Sequence, residues 1–197
     1  GPPGNGKTSL AEAIANTMNI PFLVVRQEQT INSLLGKTAQ NLYNIFSFAV
    51  QQPCVLFIDE FDAIGIKRNQ NIGESGEISR IVNSILKQID ALPSYVILIV
   101  ATNREDIIDK ALCRRFQLQI TLPMPQKEEL TNYYAQYIEK HHLQITIKPS
   151  RIAEKTIPCS YANAEELIKT LHRKIVLHGN NLNFEKEIQQ WKETKKK

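Results

Sequence analysis

At 197 residues, 42% hydrophobic and 22% charged, the chain has ordinary soluble globular composition, enough for one full domain and a small appendage. Its net charge of +4 draws on Lys192 and Lys195 to Lys197, a run that reads as a solvated tail rather than a nucleic-acid or membrane contact. Cys54, Cys113 and Cys159 lie far apart, which argues against a metal or disulfide framework and fits a reducing cytoplasm; no apolar run nears the ~20 residues of a membrane span, and no signal peptide opens the chain.

The chain opens on a Gly-rich segment, Gly1 to Thr8, that needs a buried strand ahead of it to hold its shape. The expectation is a fragment with residues missing on its N-terminal side. Leu10, Ala11, Ile14 and Met18 then recur at helical spacing, predicting a helix over about 7–19. Pro21 to Val25 reads as a short buried strand, and about 39–51 as a second helix. Cys54 to Ile58 is a continuous apolar run of strand length, the pattern of a strand covered on both faces. Ile78, Ile81, Val82, Ile85, Leu86 and Ile89 mark an amphipathic helix. Val96 to Ala101 is the next predicted strand and Gln117 to Leu122 a further one. Such alternation implies a parallel sheet with helices on both faces.

Pro123 and Pro125 end that pattern. Helices are predicted over about 126–141, 150–155 and 164–178, the last with a capping-box pair Asn163 and Glu166 and with Gly179 beyond its end. His141 and His142 lack ligand-spaced partners and read as surface or helix-end residues. The domain reading is residues 1–123 as an α/β layer and 124–197 as a small helical domain with a basic tail.

GPPGNGKT, Gly1 to Thr8, matches the phosphate-loop pattern G-x-x-x-x-G-K-[ST] without a mismatch. Glycines let backbone N–H groups turn inward on a phosphate, and Lys7 adds a point charge. The Thr8 hydroxyl is a magnesium ligand by type, and the helix behind it offers a positive N-terminus. The predicted nucleotide contacts are Gly1, Pro2, Pro3, Gly4, Asn5, Gly6, Lys7, Thr8 and Ser9. VLFIDE, Val55 to Glu60, adds a buried strand ending in two carboxylates at the sheet edge where ligands sit. Asp59 suits the magnesium shell, through water, and Glu60 suits polarisation of an attacking water.

With GPPGNGKT followed by FIDEFDAI, ATNR and ALCRRF, nearly the whole chain resembles the AAA branch of the AAA+ ATPases. The resemblance implies a P-loop α/β sheet followed by a helical lid, with ATP and Mg2+ as ligands and ATP hydrolysis as the activity. It implies that Asn103 orients the catalytic water, and that Arg114 and Arg115 are arginine fingers reaching a neighbouring subunit's γ-phosphate. Fingers acting in trans require an oligomer, and the resemblance implies a six-membered ring, a hexamer, when nucleotide is bound. It also places Ala162 near the nucleotide in a Ser160-Tyr161-Ala162-Asn163 segment, where Tyr161 replaces the glycine usual in the family.

Leu34, Leu35 and Gly36 match a substrate-gripping pore loop, with Leu34 where an aromatic usually stands; an ordinary pair of core leucines is the other reading. Asn69 to Glu77 fits either a second pore loop or a flexible solvent loop. Three functional readings follow: an ATP-driven remodeller of a protein substrate or complex, a clamp-loader-like or initiator-like ATPase on nucleic acid, and a nucleotide-gated scaffold. The remodeller is favoured, since no basic reading module is visible and the catalytic set is intact. A small GTPase is disfavoured because no N-K-x-D segment appears.

Overall fold

The computed structural model describes residues 1–26, 35–63, 75–178 and 182–195. Two units emerge, one formed by Gly1 with Lys7–Thr121 and the other by Pro2–Gly6 with Leu122–Lys197.

In the first unit three parallel strands, β1 (Phe22–Val25), β2 (Cys54–Ile58) and β3 (Val96–Val100), lie in the order β1-β2-β3. Phe22 aligns with Val55 and Cys54 with Val96, so the central β2 is paired on both sides. That explains its uninterrupted apolar run: all five of its residues are buried. Alternation along the strand sends Cys54, Leu56 and Ile58 to one face and Phe57 to the other. The first face packs on Leu42, Phe46 and Ala49 of α2 (Leu35–Ala49) and on Ile81, Val82 and Ile85 of α3 (Ser75–Asp90). The second face meets Ala11 of α1 (Lys7–Met18) and Ala101. The predicted α/β layer is therefore observed, helices on both faces included. Each large apolar side chain buried here contributes about 1.5–3 kcal/mol.

The strand predicted over Gln117 to Leu122 is not formed. The segment carries no sheet pairing, and Leu118 and Ile120 stay exposed at 73% and 59%. A strand needs a neighbour to accept its backbone hydrogen bonds, and none runs beside this segment among the described residues. A short helix, α4 (Lys110–Cys113), precedes it and is capped by Asp109, whose side chain accepts from the Ala111 N–H at 2.7 Å.

The second unit packs α5 (Lys127–Lys140), α6 (Pro149–Thr156), α7 (Tyr161–His178) and α8 (Phe184–Thr194). Its core joins Leu130 and Tyr134 of α5, Ile152 of α6, Leu167, Ile168 and Leu171 of α7, and Ile188 of α8. The buried Tyr134 hydroxyl donates to Thr156 Oγ1 at 3.3 Å, and burial pushes its pKa well up.

Two further details differ from the sequence reading. Helix α7 starts at Tyr161, three residues earlier than expected, and its cap is Ser160, whose Oγ accepts from the Asn163 N–H at 3.3 Å. The basic end is also not a free tail. Phe184, Ile188 and Trp191 form an apolar stripe that folds α8 onto the helical core. Lys192 then donates to the carbonyls of Lys155 and Ile157 at 3.0 and 3.1 Å, and Lys195 pairs with Glu166 at 2.6 Å. Gly179, Leu34, Lys196, Lys197 and residues 69–74 of the second loop lie outside the described residues, while the backbone of Leu35 and Gly36 begins α2.

Candidate functional site

Residues from three elements of the α/β unit converge. Lys7 stands at the start of α1, Asp59 and Glu60 follow β2, and Thr102 and Asn103 follow β3. Parallel pairing brings these strand ends to one edge of the sheet. The ladder continues past the strands: Ala101 N–H donates to the Ile58 carbonyl at 2.9 Å and Phe61 N–H to the Ala101 carbonyl at 2.8 Å.

On that edge the Lys7 ammonium donates to Asn103 Oδ1 at 2.6 Å and to the Gly1 carbonyl at 2.8 Å. Burial lowers the Lys7 pKa, and the carboxylates of Asp59 and Asp62 offset part of that shift. Thr8 Oγ1 donates to Asp59 Oδ2 at 3.4 Å. Asp59 Oδ1 accepts from the Glu60 N–H at 2.9 Å, which orients the first carboxylate and leaves the second exposed. Glu60 holds φ at +49°, a left-handed conformation that costs a residue with a side chain about 1–2 kcal/mol. Ser9 is exposed one residue beyond Thr8.

Sequence reasoning missed two residues that brace this edge. Thr102 Oγ1 donates to Asp62 Oδ1 at 2.8 Å and accepts from the Arg104 N–H at 2.9 Å. The hydroxyl thus links the turn after β2 to the turn after β3, on either side of Asn103. Both residues lie inside the segments already singled out, so their position was the available signal.

Arg114 and Arg115 belong to a different constellation. Arg115 Nε pairs with Asp90 Oδ1 at the end of α3, 2.8 Å away, and both side chains are about half exposed. Arg114 is exposed at the C-terminal end of α4. An exposed pair of this kind contributes only about 0.2–1 kcal/mol.

Gly4, Asn5 and Gly6 group with the helical unit. Gly4 and Gly6 hold φ at +75° and +84°, where a side chain is strained. Asn5 is buried, its Nδ2 lies 3.6 Å from Met124 Sδ, and its Oδ1 has no hydrogen-bond partner. Ala162 N–H donates to the Gly4 carbonyl at 3.0 Å. Tyr161, the residue that departs from glycine, packs its ring against that of Tyr133 of α5, 5.3 Å between centroids. Pro2 and Pro3 complete the segment, Pro3 exposed.

Within the α/β unit, Lys7, Thr8 and Asp59 fit a phosphate with a divalent cation. Open space surrounds Gly6 where a Cβ would stand, leaving backbone free to approach an anion. A hydroxyl and a carboxylate already face each other in Thr8 and Asp59, hard oxygen donors of the kind magnesium takes.

The family model for the ATPase family associated with various cellular activities (AAA) matches residues 1–124. The chain is similar to an uncharacterised AAA family ATPase, y4kL, of Sinorhizobium fredii, 36% identical over 85% of this chain and 50% of the relative. It is also similar to a putative 26S proteasome regulatory subunit homologue of Methanothermobacter thermautotrophicus, 31% identical over 94% of this chain and 51% of the relative. The ATP-dependent zinc metalloprotease YME1L1 of Mus musculus is 33% identical over 96% of this chain and 27% of its own length. The chain thus spans about half of the first two relatives and less of the third. Among the described residues no helix is long and apolar enough to cross a membrane. The chain belongs to the AAA family of ATPases and carries that family's ATP-hydrolysing module.

Proposed function

We propose that this module binds ATP with Mg2+ at the edge formed by Lys7, Thr8, Asp59, Glu60 and Asn103, and that its turnover drives remodelling of a protein substrate by a ring of subunits. The observation that carries the reading is the Lys7–Asn103 hydrogen bond of 2.6 Å beside the Thr8–Asp59 pair. It joins the phosphate-binding cation, the candidate metal ligands and a water-orienting amide.

In this reading Gly1 to Ser9 wrap the phosphates, with Gly6 giving the backbone room. Lys7 places its charge on the β- and γ-phosphates, and Asn103 holds that charge in position through its amide oxygen. Thr8 and Asp59 would hold Mg2+, which neutralises charge on the phosphate oxygens when bound. Glu60, exposed beside Asp59, accepts a hydrogen bond from the attacking water. Phosphoryl transfer is loose, so positioning of this kind supplies most of the rate. Arg114 and Arg115, which lie on the surface, would complete the neighbouring subunit's site, and Ala162 would flank the nucleotide.

Two observations support a protein as the substrate: the similarity to a proteasome regulatory subunit homologue and to an ATP-dependent protease. The division into an α/β unit and a helical unit, which changes between Thr121 and Leu122, supports reading the chain as two domains. Glu60→Gln tests the chemistry directly. We expect ATP binding within about threefold of wild type with turnover reduced by about 10²-fold or more, measured by calorimetry and phosphate release. Lys7→Ala is expected to remove binding itself. Turnover surviving in Glu60→Gln would assign the water to another residue.

A further inference from the structure

Ser160 and Ala162 flank the one turn of the phosphate loop in which a side chain has no room. A Cβ added to Gly4 would lie 2.8 Å from Ala162 Cβ and 2.9 Å from Ser160 Oγ, closer than real Cβ atoms come. Ser160 is buried and immobilised by its own task, since its Oγ caps α7 through the Asn163 N–H. It cannot simply swing aside. Between the two side chains runs the bond from Ala162 N–H to the Gly4 carbonyl, 3.0 Å. A helix begins with backbone donors that have no partner inside the helix, and α7 places one of them on the loop.

That bond has a directional consequence. Across a trans peptide, the carbonyl and the following N–H point in opposite directions. With the Gly4 carbonyl held by Ala162, the Asn5 N–H is turned away from α7. A loop that binds phosphate works by the direction of its N–H groups, so a partner for Gly4's carbonyl orients the binding donors without touching the ligand.

We propose that Ser160 and Ala162 are positioning residues for the phosphate loop: the first turn of α7 clasps Gly4 by bulk and by one hydrogen bond, and thereby sets the loop's affinity for a nucleoside polyphosphate. The inference rests on the nucleotide-site reading above, and it makes the absence of a side chain at Gly4 a matter of contact as well as of φ. Helix α7 then regulates affinity through the loop backbone, whatever else it does.

The test measures Mg2+-ADP affinity by calorimetry on the whole chain, which requires no turnover. Ala162→Pro deletes the donor at a first-turn position where proline is tolerated. We expect affinity to fall roughly fivefold or more, the worth of about one net hydrogen bond. Gly4→Ala supplies the decisive arm. Its loss of affinity should be partly reversed, by roughly fivefold, when Ala162→Gly and Ser160→Ala are added together, because both atoms closer than 3.0 Å are then gone. If Gly4→Ala is equally weak with and without that pair, backbone strain alone explains the glycine and the clasp is overturned. Wild-type affinity for Ala162→Pro would also overturn it. Lys7→Ala is the separate control. If ADP binds wild type and Lys7→Ala equally, the nucleotide-site reading fails and the clasp fails with it; if Lys7→Ala alone loses binding, any failure belongs to the clasp.

Discussion

Lys7 shows how a single side chain reconciles two demands. Burial disfavours its ammonium, while Asp59, Asp62, the Gly1 carbonyl and Asn103 hold it in place. Its pKa in the folded chain is therefore below that of an ordinary lysine, about 10.4. The sign follows from linkage. The cost of keeping Lys7 protonated is present at all pH values below its folded pKa, and is lifted as pH rises from there to the unfolded value. Binding moves the opposite way, because a neutral amine attracts no phosphate. We expect ADP affinity to begin falling on the alkaline side at a lower pH than an ordinary lysine would give. Lys7→Arg, which stays charged, should move that fall out of range. Calorimetric affinities between about pH 7 and 10 check this. Of the residues that meet at this edge, the phosphate-loop and strand-end motifs singled out Lys7, Asp59 and Glu60, and the family resemblance singled out Asn103. The brace from Thr102 to Asp62 was not legible, since a hydroxyl and a carboxylate forty positions apart show no pattern until the strands pair.

Among the elements, legibility depended on where the partner lies. The apolar run of β2 declares itself because both its faces and both its edges are covered. Gln117 to Leu122 alternates polar and apolar residues as a half-buried strand does, yet a strand is a relation between two segments, and the segment alone does not reveal whether a neighbour exists. Helix α8 was hidden for the opposite reason. Phe184, Ile188 and Trp191 are separated by charged and amide side chains, so a reading drawn to the lysines sees a tail. The stripe makes a direct prediction. Ile188, only 1% exposed in the helical core, should cost about 2–4 kcal/mol when replaced by alanine, measured by denaturant unfolding. A free tail would leave stability unchanged.

At the scale of the whole molecule, the α/β unit and the helical unit each have a core of their own. Assembly is the property that the surface arginines address. Arg115 is held by Asp90 in an exposed pair worth little, so releasing it toward a neighbour's phosphate would cost little. Mixing Arg115→Ala subunits with Lys7→Ala subunits should therefore restore part of the turnover that each lacks alone, because one kind supplies the finger and the other the site. Steady-state phosphate release at varied mixing ratios reads this out, and no restoration from folded, assembling subunits would place the finger in cis or elsewhere.

The bare segment around Leu118 and Ile120 bears on how such an experiment is handled at the bench. Two large apolar side chains stand in water on backbone that pairs with nothing among the described residues. A stretch of this kind is adhesive, inviting the same stretch of another molecule to lie alongside it. Particles glued together there would grow with protein concentration and time in open-ended fashion, while their phosphate release per subunit stayed flat. Size alone is thus a poor witness for a working ring in this chain, and turnover measured on the same fraction is the observation that tells machine from precipitate.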